Sequence, residues 1–218
     1  MHHTITERNQ PIWLAQREGR AKDSNDRTQE GLIKMLSMYS GGDIIDALKV
    51  LNIAPTTISY EYDPCDYLKA KEFQQKRDNP EWKKAPQDDL INMKTGMFGY
   101  KGGIHYHIAD CINDEIDAID RSLGRNEKTA AVARIIDKHI HNNYKFWAIN
   151  YYFYELLTGD TRFAGKYNPE EKAKLDAYLQ GQIEKIDLPN RDDEFCRTKI
   201  LEMYANPVIN YLKACANE

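Results

Sequence analysis

The chain lacks any apolar run near the roughly 20 residues that a membrane-crossing helix needs, so no spanning segment is expected. A secretory leader is missing too. Met1-His2-His3-Thr4-Ile5-Thr6-Glu7 has neither a basic start nor an apolar stretch. The four cysteines, Cys65, Cys111, Cys196 and Cys215, are scattered. They form no CxxC pair and no Cys/His pairing at metal spacing, which argues against a metal site and a disulfide framework. Free thiols in a reducing cytoplasm are expected. There is no excess of positive charge: 30 Lys+Arg stand against 34 Asp+Glu, a net charge of -4. Such a chain repels duplex phosphates overall, so no nucleic-acid partner is expected. Neither a GxGxxG nor a Walker-type loop occurs. Gly41-Gly42 and Gly102-Gly103 read as short turns.

What the chain does have is a dense charged stretch close to its start. Residues 17–27, Arg17-Glu18-Gly19-Arg20-Ala21-Lys22-Asp23-Ser24-Asn25-Asp26-Arg27, hold four cations, three carboxylates and one glycine. Mixed charge runs are often only solvated surface. Here, however, the run follows a short apolar stretch, Pro11-Ile12-Trp13-Leu14-Ala15, which reads as a buried strand. A strand that opens into a cationic, glycine-containing loop suits an anionic ligand. Guanidinium forks match phosphate geometry, and glycine lets the backbone come close.

Downstream, Thr28-Gln29-Glu30 starts a helix, broken at Ser40-Gly41-Gly42. Asp43 caps a second helix with Ile44, Ile45, Leu48 and Leu51 on one face. Residues 53–60 are β-branched and aromatic and read as a strand. Asp66 is placed to cap a helix through Tyr67, Leu68, Ala70 and Phe73. A polar excursion over 74–89 and a short helix over 88–97 follow. Glycine turns then lead into Ile104-His105-Tyr106-His107-Ile108, which alternates as a strand does. The remainder reads as helical over 127–155, 169–186 and 193–213, the last bent or broken at Pro207. The expected fold class is α/β: a partial sheet with flanking helices over 1–125, then an all-helical extension over 126–218.

With these residues in place, the chain resembles the glycerolipid acyltransferase family. In that family a strand leads into a Glu-Gly-Thr-Arg-Ser type loop that binds the phosphate of the acceptor. Trp13-Leu14-Ala15-Gln16-Arg17-Glu18-Gly19-Arg20 is similar to that block, and Ile53-Ala54-Pro55-Thr56-Thr57-Ile58 is similar to the Val-Pro-Val type strand that follows it. The run from Ala15 to Thr28, with Ser59-Tyr60-Glu61-Tyr62-Asp63-Pro64-Cys65-Asp66-Tyr67, resembles a bacterial subgroup of 1-acylglycerol-3-phosphate acyltransferase-like chains. The resemblance implies transfer of an acyl group from acyl-CoA or acyl carrier protein to a glycerol-phosphate acceptor, with no metal. It implies a cytoplasmic protein, peripheral to the inner membrane face. It also implies that Arg17, Glu18, Gly19, Arg20 and Lys22 form the phosphate-binding loop. A non-catalytic module that binds a phosphate or lipid surface is the alternative. Two departures stand out. The family's threonine is missing after Gly19, and Arg17 replaces the usual proline. The family's upstream His-x4-Asp block, which holds the general base, does not precede the loop. The expectation is therefore a C-terminal portion of an acyltransferase, inactive by itself.

His105-Tyr106-His107-Ile108-Ala109-Asp110 satisfies His-x4-Asp by spacing but falls after the loop, on an expected strand. Residues five apart on a strand point to opposite faces, so His105 and Asp110 read as a decoy. His105 and His107 are expected on one sheet face, with Ile104, Tyr106 and Ile108 on the other. Residues 144–154 carry seven aromatics. They read as a packed helix, or else as an interfacial surface for peripheral membrane contact. His139 and His141 do not share a helix face, so no metal is expected there. Cys65 has no nearby histidine to activate it. Residues 188–194 read as the start of a helix with capping carboxylates.

Overall fold

A computed structural model of the chain describes residues 1–16, 22–38 and 42–216. Its helices are α1 (His2–Thr6), α2 (Glu30–Leu36), α3 (Ile44–Lys49), α4 (Asp66–Asp78), α5 (Pro86–Phe98), α6 (Asn113–Asp117), α7 (Arg125–Asn142), α8 (Ala148–Thr158), α9 (Pro169–Glu184) and α10 (Asp193–Ala216). Two strands, β1 (Thr56–Tyr60) and β2 (Ile104–Ile108), pair antiparallel. The broad α/β description holds, with helix far outweighing strand.

The helix ends follow from local chemistry. The Asp43 side chain accepts the Ile45 N–H at 2.8 Å and starts α3. Lys128 Nζ sits 2.6 Å from the same carboxylate, and that contact holds the Asp43 carboxyl below its usual range. Asn168 and Glu171 cap each other reciprocally at 2.8 Å, with Pro169 in the first turn of α9. Gly159 closes α8 in the left-handed region, φ 74°. The turn before β2 is tight. Gly102 has φ 62°, and a Cβ on Gly103 would stand 2.7 Å from the Trp147 indole nitrogen.

Two compact units result, and the chain alternates between them. Unit 1 comprises residues 1–20, 26–57 and 106–144; unit 2 comprises residues 21–25, 58–105 and 145–218. In unit 1 the apolar stripe of α7, with Val132, Ile136 and Ile140, packs on Ile33, Ile45, Leu48, Ile112 and Ile116. In unit 2 Ile149, Tyr152 and Phe153 of α8 pack on Leu175, Leu179, Ile200 and Tyr204 of α9 and α10. Full burial of a side chain such as Phe153 stabilises by about 1.5–3 kcal/mol. The helical extension expected over 126–218 is thus divided, because the stripe of α7 matches the core of unit 1.

Two further expectations meet a different structure, and a third, the packed aromatic run, is met. Residues 12–15 form no strand and pair with none among the described residues. Ile12, Trp13 and Leu14 are exposed, Trp13 at 68%. The sheet stops at two strands, so this stretch has no ladder to join. The helix at 193–216 runs unbroken through Pro207. The aromatic run at 144–154 is packed: Tyr152, Phe153 and Tyr154 are buried, and none of its aromatics is exposed. Phe163 packs on Tyr151 and Tyr154.

Candidate functional site

Of the five residues expected to hold phosphate, Arg17, Glu18, Gly19 and Arg20 lie outside the described residues. Both flanks of their loop are described. In unit 1 the Gln29 N–H donates to the Gln16 carbonyl at 3.0 Å and closes the base. Thr28 donates its N–H at 2.7 Å and its hydroxyl at 2.6 Å to Asp137 Oδ1 on α7. Asp26 accepts the Tyr144 hydroxyl at 3.0 Å. Burial in that setting pushes the Tyr144 hydroxyl well above its usual range, so it stays a donor. In unit 2 the Asp23 side chain takes the Asn25 N–H at 3.2 Å. Asn206 Nδ2 donates to the Asp23 carbonyl at 2.8 Å. These contacts pin the later part of the charged run and Thr28 just after it.

Lys22, in unit 2, is engaged by Glu72 on α4. Lys76 lies 3.0 Å and Lys84 3.9 Å from the same carboxylate, so three ammonium groups surround one buried glutamate. Burial lowers the Lys22 ammonium below its usual range against the opposing pull of Glu72. Burial works upward on Glu72, but Lys22 and Lys76 outweigh it and hold the carboxyl below its usual range. The cluster keeps a surplus of positive charge.

Unit 1 also contains a cavity of about 600 Å³. Its wall is mostly apolar, with Ile12, Trp13 and Leu14 opposite Leu32, Ile33 and Ile136. Gln16 lines it as well, and the Gln16 amide nitrogen is buried with no hydrogen-bond partner among the described residues. In the sequence the residue after Gln16 is Arg17. A mostly apolar cavity of this size suits an apolar group.

Unit 2 holds a buried polar network that the sequence reading missed. Asp66, at the start of α4, is fully buried. Its Oδ2 accepts the hydroxyls of Tyr178 at 2.6 Å and Tyr204 at 2.8 Å, and its Oδ1 accepts Gln182 Nε2 at 2.6 Å. The Tyr204 hydroxyl in turn accepts the Asp63 N–H at 3.0 Å. Desolvation dominates over these donors and raises the Asp66 carboxyl to about 6. Asp66 was expected to cap the helix. Instead it is the first helical residue, and the cap position falls to Cys65. A signal was present: Asp66, Ala70 and Gln74 recur every four residues and are the buried stripe of α4. Every partner of Asp66 is internal, so the network reads as a satisfied core rather than a reacting centre.

The His-x4-Asp spacing does not resolve into a site. His105 lies on the half-buried face of β2 with His107, and Asp110 is exposed beyond the strand end. The apolar residues on the other face, Ile104, Tyr106 and Ile108, are exposed. Among the described residues no group of three His, Cys, Asp or Glu side chains could hold a metal ion. No helix of the described residues is long and apolar enough to cross a membrane. The chain matches no known protein family, no curated protein and no solved structure.

Proposed function

We propose that this chain is the acceptor-binding part of an acyltransferase that acts on a glycerol-phosphate lipid such as lysophosphatidate. The observation that carries the reading is the apolar cavity of unit 1, lined by Gln16, the residue that precedes Arg17 in the sequence. On this reading the cavity takes the acyl chain of the acceptor. The guanidinium groups of Arg17 and Arg20 hold its phosphate, and Glu18 orders them or meets the glycerol hydroxyls. Gln16, with its buried free amide, donates to an ester or hydroxyl oxygen. Fixing the phosphate orients the free hydroxyl toward the thioester carbonyl of acyl-CoA or acyl carrier protein. The hydroxyl oxygen attacks that carbonyl, its proton passes to a general base, and the thiol of the donor leaves. In the family that the chain resembles, the histidine of a His-x4-Asp block is that base.

The test uses the intrinsic fluorescence of Trp13, which lines the cavity. Lysophosphatidate below its micellar concentration is expected to shift it, and lysophosphatidylcholine to do so more weakly. The double substitution Arg17→Ala, Arg20→Ala is expected to erase the preference between them, a loss of about tenfold or more for two charge-assisted contacts. Equal responses to both lipids in the unaltered chain would sink the reading. Turnover by the purified chain, lost on His105→Ala, would instead move the chemistry to β2.

A further inference from the structure

β2 leaves one edge of the sheet open. The sheet has two strands, so β2 pairs with β1 on one side only. Two backbone bonds fix the register. The Glu61 N–H donates to the Gly103 carbonyl at 2.8 Å, and the Ala109 N–H donates to the Pro55 carbonyl at 2.9 Å. In an antiparallel ladder that register sets His105 opposite Ser59 and His107 opposite Thr57, and turns the backbone groups of these residues toward one another. The N–H and C=O groups of Ile104, Tyr106 and Ile108 therefore turn away from β1. None of them has a hydrogen-bond partner among the described residues. The three side chains are exposed too, at 50%, 61% and 70%. Native edge strands are guarded by lysine, proline or a bulge. β2 contains no lysine and no proline, and one register holds along its whole length.

The sequence of the strand says what fits this edge. Ile104-His105-Tyr106-His107-Ile108 reads the same in both directions. A second copy laid antiparallel along it, on a twofold axis at Tyr106, therefore meets like with like. Ile104 stands opposite the partner's Ile108, and Tyr106 opposite the partner's Tyr106. These are the residues whose backbone groups turn outward, so each pair exchanges two hydrogen bonds and no open group of the strand is left over. On the exposed face the same register sets isoleucine against isoleucine and tyrosine against tyrosine, which are favourable cross-strand neighbours. The flanking charges agree with this direction. Lys101 precedes the strand and Asp110 follows it. An antiparallel copy brings its acidic end to the cationic end of this one, whereas a parallel copy would set like charges side by side. Lys101 is steadied there by the carbonyls of Met97 at 3.3 Å and Gly99 at 3.0 Å.

We infer that two copies of this chain pair β2 to β2, antiparallel, and so join their sheets into one of four strands. The inference stands on β2 alone and does not need acyl transfer. Two paired edges make a small interface, so association in roughly the micromolar range is expected. The experiment is sedimentation velocity of the full chain from about 1 to 200 μM, where a monomer–dimer equilibrium is expected. Tyr106→Pro deletes the central outward N–H and is expected to weaken the dimer by about tenfold or more. Its thermal midpoint is expected to stay close to that of the parent, because that N–H serves no bond within the chain. Tyr106→Lys leaves the backbone intact and is expected to weaken the dimer likewise, since two ammonium groups then meet on the axis. Disulfide trapping with diamide reads the register, in a background of Cys111→Ser and Cys215→Ser that removes the two exposed thiols. Tyr106→Cys is expected to give a covalent dimer, because paired residues there have Cα atoms about 5.5 Å apart. Ile108→Cys is expected to give none, because its counterpart lies four residues along the ladder, about 13 Å away. Three results would overturn the inference. One is a chain that stays monomeric at the highest concentration, which would leave the edge to the strand of a different protein. Another is a dimer that both Tyr106 variants leave intact. The third is a dimer that Ile108→Cys traps as readily as Tyr106→Cys does.

Discussion

At the residue scale the most informative side chain is Asp66. It is a carboxyl that water does not reach, held by two tyrosine hydroxyls and an amide. Those donors favour the anion, yet desolvation wins, and the folded chain holds the proton more tightly than the unfolded chain does. The move from 3.8 to about 6 corresponds to roughly 3 kcal/mol. Because the folded value lies above the unfolded one, this stabilisation is complete below about pH 4 and is lost as pH rises through about 6. Asp66→Asn is expected to remove that slope. Urea unfolding of parent and variant across this range, compared as a difference, isolates the group from the other carboxyls. An unchanged slope in the variant would assign the pH dependence elsewhere. Asp43 works in the opposite sense. Lys128 depresses it, so its contribution is present at neutral pH and is lost as pH falls. Cys196 beside Gln74 is pushed up to about 11 by burial, so it remains a thiol throughout.

At the element scale much of the helical course was readable from the sequence, and the exceptions have physical causes. The capping of α3 by Asp43 and the start of α9 at Pro169 follow from local rules that need no distant partner. Residues 12–15 have strand-like composition, but a strand exists only where another pairs with it, and periodicity cannot supply that neighbour. β2 alternates as expected, yet its half-buried face carries the histidines and its exposed face the apolar groups. Polarity alone would assign those faces the other way round. The polar stripe of α4 hides for the same reason, since its partners Tyr178, Gln182 and Tyr204 lie more than a hundred residues away. The charged run at 17–27 was visible in the sequence, whereas the cavity of unit 1 was not, because its walls come from separate segments. Pro207 tests how firmly α10 is held. Its ring removes one helical hydrogen bond and crowds the carbonyl four residues back, a cost of about 3 kcal/mol in a helix interior. Pro207→Ala is expected to raise the urea midpoint by the equivalent of about 1–3 kcal/mol. A lower midpoint would mean that the proline ring helps to seat Val208 and Ala205, both buried, in their cluster.

At the scale of the whole molecule each unit has its own core, and each core has its own weak point. Ile136→Ala removes apolar volume from the cluster of unit 1, and Phe153→Ala from that of unit 2. Each is expected to cost about 2–5 kcal/mol. Amide exchange should separate them. Ile136→Ala is expected to speed exchange most in α2, α3 and α7, and Phe153→Ala most in α8, α9 and α10. Uniform acceleration by either variant would mean that the chain opens as one cooperative body. The alternation of the chain between the units has a consequence for synthesis. The last segment of unit 1 ends at residue 144, so its core is complete while α8, α9 and α10 are still to be made. α4 is made early but finds its neighbours late. Tyr178 follows Asp66 by 112 residues and Tyr204 by 138. Until those partners are made, Asp66 and Gln74 lack the groups that bury them in the folded chain. Release of the last helix from the exit tunnel is then the event that desolvates Asp66, and a chain stalled before α10 would present α4 as an open, chaperone-accessible surface.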